Sequence, residues 1–316
     1  MNTIISFFKR KFKEKRNSIR QAAYERNNDI LYKRHGTEKV LFFIMFIVFV
    51  LFAVSYIFPF VWVAINAFKK PLDFATNFIG LPEEWHFENF VKAFNFKSAE
   101  TKYFTVFEML GMSVVLSFGG TIATVLVSSC AAYVVAKYEF RGKSVILGMV
   151  IFSMIIPIVG SLPSQIQLMQ NLGLDGTILG VIFLYSGGFG MNFMLLYSFF
   201  KNLSWTYVEA AKIDGASDLR IFFTIILPMT KGPIIAIAVI ALIGLWNDYM
   251  TPMIYLPEMP TIAVGLKYLT DALKGGNSNY PLLFASIIIA IIPIVIVFCI
   301  FSKTIMENTS VGGLKG

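Results

Sequence analysis

Asp248 sits in the run "WNDYM", inside one of the most apolar stretches of a chain whose charged residues mostly lie elsewhere. A carboxylate in hydrocarbon costs at least a few kcal/mol, so such a group normally faces a bundle interior or a water-filled cavity. Trp246 and Asn247 precede it. Gln165 and Gln167 follow the kinks expected at Pro157 and Pro163, and Asn192 follows the flexible Gly187, Gly188 and Gly190. Aromatic rings beside amides and a carboxylate suit a polyhydroxylated solute, whose ring faces stack and whose hydroxyls need donors and acceptors. Each of these residues has a second reading, a hydrogen bond between neighbouring helices or a place at the membrane boundary, where Trp is enriched. A second cluster lies in "VEAAKIDGASDLRIFFTIILP", residues 208 to 228, where Glu209, Ala210, Ala211, Asp214 and Gly215 form a small, charged, glycine-centred segment between two greasy runs.

Covalent chemistry finds little support. His35 and His86 are the only histidines and lie far apart outside the apolar runs, with no H-E-x-x-H and no Cys/His cluster. No G-x-x-x-x-G-K-[ST] loop is present to cradle phosphates, so this chain is not expected to hydrolyse ATP or to carry a cofactor or metal. A membrane enzyme is the competing class, and no Ser, His and Asp set falls within one compartment to support it.

The elements that position these residues are membrane spans. Of 316 residues, 56% are hydrophobic and 15% charged, far from a soluble average near 25% charged. Runs long enough to cross a bilayer, about 20 residues, cover roughly Val40 to Phe68, Phe107 to Ala136, Val145 to Met169, Thr177 to Phe200, Ile234 to Tyr255 and Pro281 to Ser302. The first run follows a basic arm of 39 residues and is too long for a signal peptide, so it is expected to be a retained span. Cys130 and Cys299 fall inside expected spans and do not form an extracellular disulfide framework. The net charge of +8 is not spread as a nucleic-acid surface would be: segments on one side of six spans hold 20 of the 27 Lys and Arg, the others 7. The positive-inside rule then places both termini in the cytoplasm. The basic arm 1–39 is a topology determinant, with contact to anionic lipid as an additional reading.

Between spans, "PEEWHFENFVKAF" places Phe87, Phe90, Val91 and Phe94 at helical spacing within the outer segment 69–106. No outer segment is long enough for a receptor domain, which needs at least about 50 residues. In the second span Gly120, Thr124, Ser128 and Ala132 recur every fourth residue, the pattern of a helix that packs closely at the centre of a bundle. Segment 204–228 reads as two short helices. Ser204 or Thr206 is expected to cap the first, with Glu209 completing a capping box. Gly215 stops it, Ser217 caps the second, and Leu219, Phe222, Phe223 and Ile226 form an apolar stripe that Pro228 ends. Such a segment is either a compact cytoplasmic knob or an amphipathic loop at the interface.

The spacing of Glu209-Ala210-Ala211, Gly215, Ile225 and Leu227-Pro228 resembles the EAA motif of the transmembrane subunits of bacterial ABC importers. Further elements resemble their carbohydrate-uptake branch, similar to the second membrane subunit of maltose permeases: "AAYVVAKYEFRGK", "MIIP", "LGLDGTILGVI", "SFF", "WNDYMTPMIYL" and "TIAVGL", in order across about residues 107–303. The chain departs from the pattern in "GGFGMNF" and "LSW", which lack prolines usual there, and in the polar "SLPSQIQLM". The resemblance implies an all-α integral membrane fold of six transmembrane helices, the type I importer permease, in the bacterial cytoplasmic (inner) membrane. It further implies a tail at 304–316 in the cytoplasm and a coupling helix within 204–228. That helix seats in a groove of a separate ATPase, Glu209 facing a basic group and Ala210 and Ala211 allowing close approach. The implied partners are a second homologous permease, two ATPase subunits that bind ATP and Mg, and an extracytoplasmic solute-binding protein. The implied cargo is a carbohydrate, with amino acids, peptides or polyol-like compounds as alternatives.

Overall fold

The computed structural model describes residues 36–97, 104–155, 160–187, 189–274 and 279–309. The basic arm up to residue 35, Pro157, Gly188 and the end of the tail lie outside them. The chain divides into two units, Met1–Trp62 and Val63–Gly316. In the first, helix α1 (Gly36–Asn66) is apolar on every face, and the most hydrophobic window of Lys39–Asn66 buries none of its residues. That all-round pattern is the mark of a helix solvated by lipid.

The second unit contains α2 (Pro71–Thr76), α3 (Glu88–Asn95), α4 (Val106–Lys137), α5 (Lys143–Ile155), α6 (Leu162–Asn171), α7 (Ile178–Tyr185), α8 (Met191–Asn202), α9 (Thr206–Ile213), α10 (Asp218–Met229), α11 (Lys231–Asn247), α12 (Met250–Tyr255), α13 (Ile262–Lys274) and α14 (Tyr280–Thr309). Helix α4 is the hub and packs against α7, α8, α11 and α13. Its small residues explain why. A Cβ on Gly120 would lie 2.6 Å from the Tyr185 ring and 2.8 Å from Leu245, and Ser117, Ser128, Ser129 and Ala132 are all buried. Close approach of this kind replaces the hydrophobic drive that lipid cannot supply. A capping box, Thr105 with Glu108, fixes where α4 begins.

Three helices are long and apolar enough to cross a membrane singly among the described residues: Lys39–Asn66, Val106–Lys137 and Tyr280–Met306. Three expected spans are instead interrupted. The run 145–169 is divided into α5 and α6, the run 177–200 into α7 and α8 around Gly187 and Gly190, and the run 234–255 into α11 and α12 at Asp248. Glycine and proline account for the first two breaks, and a carboxylate that caps rather than continues the helix accounts for the third.

In segment 69–106, α3 forms where the spacing placed it, but its apolar stripe is not its buried face. Phe87 is 66% and Val91 63% exposed, whereas Ala93 is fully buried. Phe68 gathers the rings of Trp85, Phe87 and Phe90 at 5.0 to 5.2 Å, and α3 packs on α14.

Candidate coupling hairpin and translocation route

Helix α9 ends at a glycine turn whose conformation is decided by hydrogen bonds. Gly215 has φ +78°, its N–H donates to the Lys212 carbonyl at 3.0 Å, and Ala216 N–H donates to the Ala211 carbonyl at 2.9 Å. This pair satisfies the last carbonyls of α9 in the Schellman arrangement, which a left-handed residue makes possible. Ser217 Oγ then accepts from Arg220 N–H at 3.4 Å and starts α10. The start of α9 follows one of the two expected caps: Ser204 Oγ accepts from Thr206 N–H at 3.3 Å and bonds the Thr206 hydroxyl at 2.9 Å. Glu209 N–H donates to the Trp205 carbonyl, so the Thr206–Glu209 box does not form.

The stripe on α10 also differs. Phe222–Ile226 is a π turn, with Leu227 N–H reaching back to the Phe222 carbonyl. Pro228 lacks an N–H and its ring crowds the carbonyl four residues earlier; the wider turn leaves room for both. The π turn rotates the apolar face, so Ile221, Phe222 and Ile226 are buried while Leu219 is 73% and Phe223 51% exposed. Helix α10 continues through Pro228 to Met229, and only then does the chain bend by 82° into α11.

Packing sorts the hairpin into two faces. Val208 and Ala211 are buried in one cluster with Phe193, Leu196 and Phe200 of α8 and Ala132 and Tyr133 of α4. Ala211 therefore faces its own bundle and is not available for close approach by another subunit. Glu209, Ala210, Asp214 and Gly215 are exposed, as is Ile213 at 86%. At the exposed edge next to the end of α4, the Tyr138 hydroxyl donates to Asp218 Oδ1 at 2.8 Å, and Lys212 Nζ lies 3.0 Å from the same oxygen and 5.9 Å from the Tyr138 ring centre. The Tyr138 hydroxyl and then Lys212 hold the Asp218 carboxyl below its ordinary range; burial and then Asp218 push the Tyr138 phenol up. Lys137 Nζ donates to the Leu203 carbonyl, which ties the approach to the hairpin to the end of α4.

The polar residues of the spans do not form one cluster. Tyr185, at the end of α7, organises part of them: its hydroxyl donates to Asp248 Oδ2 at 2.9 Å, and its carbonyl accepts from Thr124 Oγ1 at 2.7 Å. Asp248 Oδ1 accepts from Thr251 N–H at 3.1 Å and so starts α12. Thr124 also lines a polar cavity of about 110 Å³ with Ser128, Gly187, Gly190, Met191 and Asn192. Gln165, exposed on α6, accepts from the Tyr255 hydroxyl at 3.4 Å, and Gln167 is exposed on the same helix. Trp246 and Asn247 turn elsewhere. The buried Trp246 indole donates to the Ala290 carbonyl of α14 at 3.2 Å, and Asn247 Nδ2 donates to Ile243 of its own helix at 2.8 Å. Sequence reading missed Tyr185, whose one local signal is its place just before the glycine break. It also missed Tyr138 and Asp218, which are 80 residues apart. Among the described residues, no three of His, Cys, Asp and Glu stand together as a metal site.

Residues 125–308 match the family of binding-protein-dependent transport system inner membrane components. The chain belongs to this family. As a permease it is 30% identical over 84% of its length to the diacetylchitobiose uptake system permease of Streptomyces coelicolor, of which it covers 86%. It is 28% identical to the arabinooligosaccharide transport permease of Bacillus subtilis, over 85% of this chain and 94% of that one. It is also 28% identical to the trehalose/maltose transport permease of Thermococcus litoralis, over 84% and 93%. A crystal structure of a bacterial ABC transporter involved in the import of the acidic polysaccharide alginate contains a chain of the same fold. Its TM-score is 0.71 at 20% identity, covering 85% of this permease and 98% of that chain.

Proposed function

We propose that this permease is one of two homologous membrane subunits of an ATP-driven importer that translocates a carbohydrate, of oligosaccharide size, handed over by a separate extracytoplasmic solute-binding protein. The observation that carries the coupling role is the hairpin Thr206–Met229, held to α4 and α8 on one side and exposed at Glu209, Ala210, Ile213, Asp214 and Gly215 on the other. A rigid knob of this kind can pass a rigid-body movement between two subunits. Two ATPase subunits receive it, and ATP and Mg belong to them. The relatives named above support the cargo, since each is named for a disaccharide or for oligosaccharides. Six crossings of the bacterial inner membrane with both termini cytoplasmic agree with the Lys and Arg distribution, the broken runs being completed by helix pairs. The route passes Asn192, Asp248 and Gln165, polar groups at the helix breaks that are at least partly open to solvent.

The test is reconstitution of this chain in proteoliposomes with a second permease, an ATPase and a binding protein from the same genome. Uptake of radiolabelled di- and trisaccharides is compared with that of amino acids, dipeptides and polyols. Saturable, ATP-dependent uptake restricted to saccharides is expected. Uptake restricted to amino acids or dipeptides overturns the cargo, and a transport-competent complex lacking a second permease overturns the heterodimer.

A further inference from the structure

Beside the apolar cluster that joins the end of α4 to the hairpin, the packing is incomplete. An apolar groove of about 270 Å³ opens between them, lined by Cys130, Tyr133, Val134, Leu219 and Phe222, with Tyr138 and Asp218 also on its wall. Contact between the Tyr133 and Phe222 rings, 5.0 Å apart, is one place where the two elements pack beside it. Along the groove that apolar packing is left out, and a polar bridge at its wall adds a second link between the two elements. That bridge has three points on three elements: Tyr138 just after α4, Lys212 on α9 and Asp218 at the start of α10.

We propose that Tyr138, Lys212 and Asp218 form a pin that makes the hairpin and α4 move together, so that these three are positioning residues for coupling ATP hydrolysis to transport. The inference rests on the reading of the hairpin as the coupling element. Lys212 and Asp218 lie on opposite sides of the Gly215 turn, and their ion pair keeps the two arms from pivoting separately about it. Tyr138 then fixes the closed pair to α4. From Tyr138, α4 runs without a proline back to Thr124 and Ser128 at the polar cavity, 14 positions that span about 21 Å at 1.5 Å per residue. A continuous, closely packed helix of that length shifts as one body, and Thr124 carries the shift to the Tyr185 carbonyl.

The test uses the complete reconstituted complex and the radiolabelled saccharide with the largest uptake in the panel above. Tyr138→Phe, Asp218→Ala and the double variant are compared for saccharide taken up per ATP hydrolysed. Each single variant should assemble and keep hydrolysing ATP, while the ratio falls about fivefold or more, within the usual span of coupling between sites. The double variant should be no worse than the poorer single one, because both remove the same bond. An unchanged ratio in Tyr138→Phe overturns the pin, whether hydrolysis and uptake stay high or fall together. Additive losses overturn it too. If Asp218→Ala fails to assemble, Tyr138→Phe decides alone, since it removes one oxygen and leaves the ring contacts. Glu209→Lys separates the two levels of inference. If it leaves stimulated hydrolysis intact, the coupling reading itself fails; if it abolishes stimulation while Tyr138→Phe leaves the ratio unchanged, only the pin fails.

Discussion

The hairpin and the proposed route are built by opposite means. The hairpin is one contiguous segment whose turn is closed by bonds three and five residues apart, and its buried face makes a continuous apolar cluster. The proposed route is assembled from α4, α6, α7, α8, α11 and α12, with Thr124 reaching Tyr185 across 61 positions and Tyr185 reaching Asp248 across 63. A part that must transmit displacement benefits from short, redundant local bonds that do not depend on the state of the rest. A part that must admit a solute needs polar groups on separate elements, which can move apart. The contrast teaches that a small perturbation of the hairpin should act on coupling alone, whereas one at the route should affect stability and uptake together.

The largest effect is expected from the turn. Gly215→Val puts a β-branched residue at φ +78°, at a cost of about 1–2 kcal/mol or more, although no atom lies near enough to clash. Together with Glu209→Lys, it should leave receptor binding and assembly intact and abolish transport-linked ATP hydrolysis, measured with and without the solute-loaded binding protein. Full uptake in both variants would return the segment to an interfacial loop. Next comes the hub: Gly120→Leu drives a side chain into the Tyr185 ring and Leu245, and overpacking of this order costs about 1–3 kcal/mol. Because it strikes the route side, loss of thermal stability and of uptake should appear together; loss of coupling with stability preserved would break the comparison.

Asp248 sharpens the contrast. Asp248→Leu orphans the Tyr185 hydroxyl and Thr251 N–H, each worth about 1–3 kcal/mol if left unsatisfied. Uptake should fall with a modest drop in melting temperature, and Asp248→Asn, which keeps an acceptor, should recover stability ahead of uptake. Normal uptake in a normally assembled Leu variant removes Asp248 from both roles. The smallest effect concerns pH. Asp218 has its carboxyl depressed below 3.8 by Tyr138 and then Lys212, so its stabilising contribution is complete above the unfolded value. It is lost only as pH falls through the lowered folded value. Coupling should therefore be flat through neutral and mildly acidic conditions, and a titration of the uptake-to-ATP ratio that bends near pH 6 would assign the control to another group.

Much of the hairpin was legible in the sequence because its determinants are local. Gly215 with φ above zero and Ser217 as a cap follow from residue types at short spacing. The mistakes arose where a local pattern met a second demand. The Thr206–Glu209 box yielded to Trp205, whose ring packs on Tyr138 at 5.8 Å, and the stripe of α10 was rotated by the turn that accommodates Pro228. Ala211 looked available in the sequence, and only the positions of α4 and α8 bury it.

Composition and periodicity alone determined a membrane-embedded helical chain, the small-residue face that makes α4 central and the glycine-centred knob after the fourth apolar run, since transfer energies, close packing and backbone sterics act within a few residues. Tertiary structure alone decided which polar residues meet. It turned Trp246 into a strut on α14, joined Asp248 to Tyr185, and brought Tyr138 to Asp218. Those pairings depend on the crossing of helices distant in the chain, and a hydrogen bond, unlike a hydrophobic period, leaves no trace in the spacing of either partner.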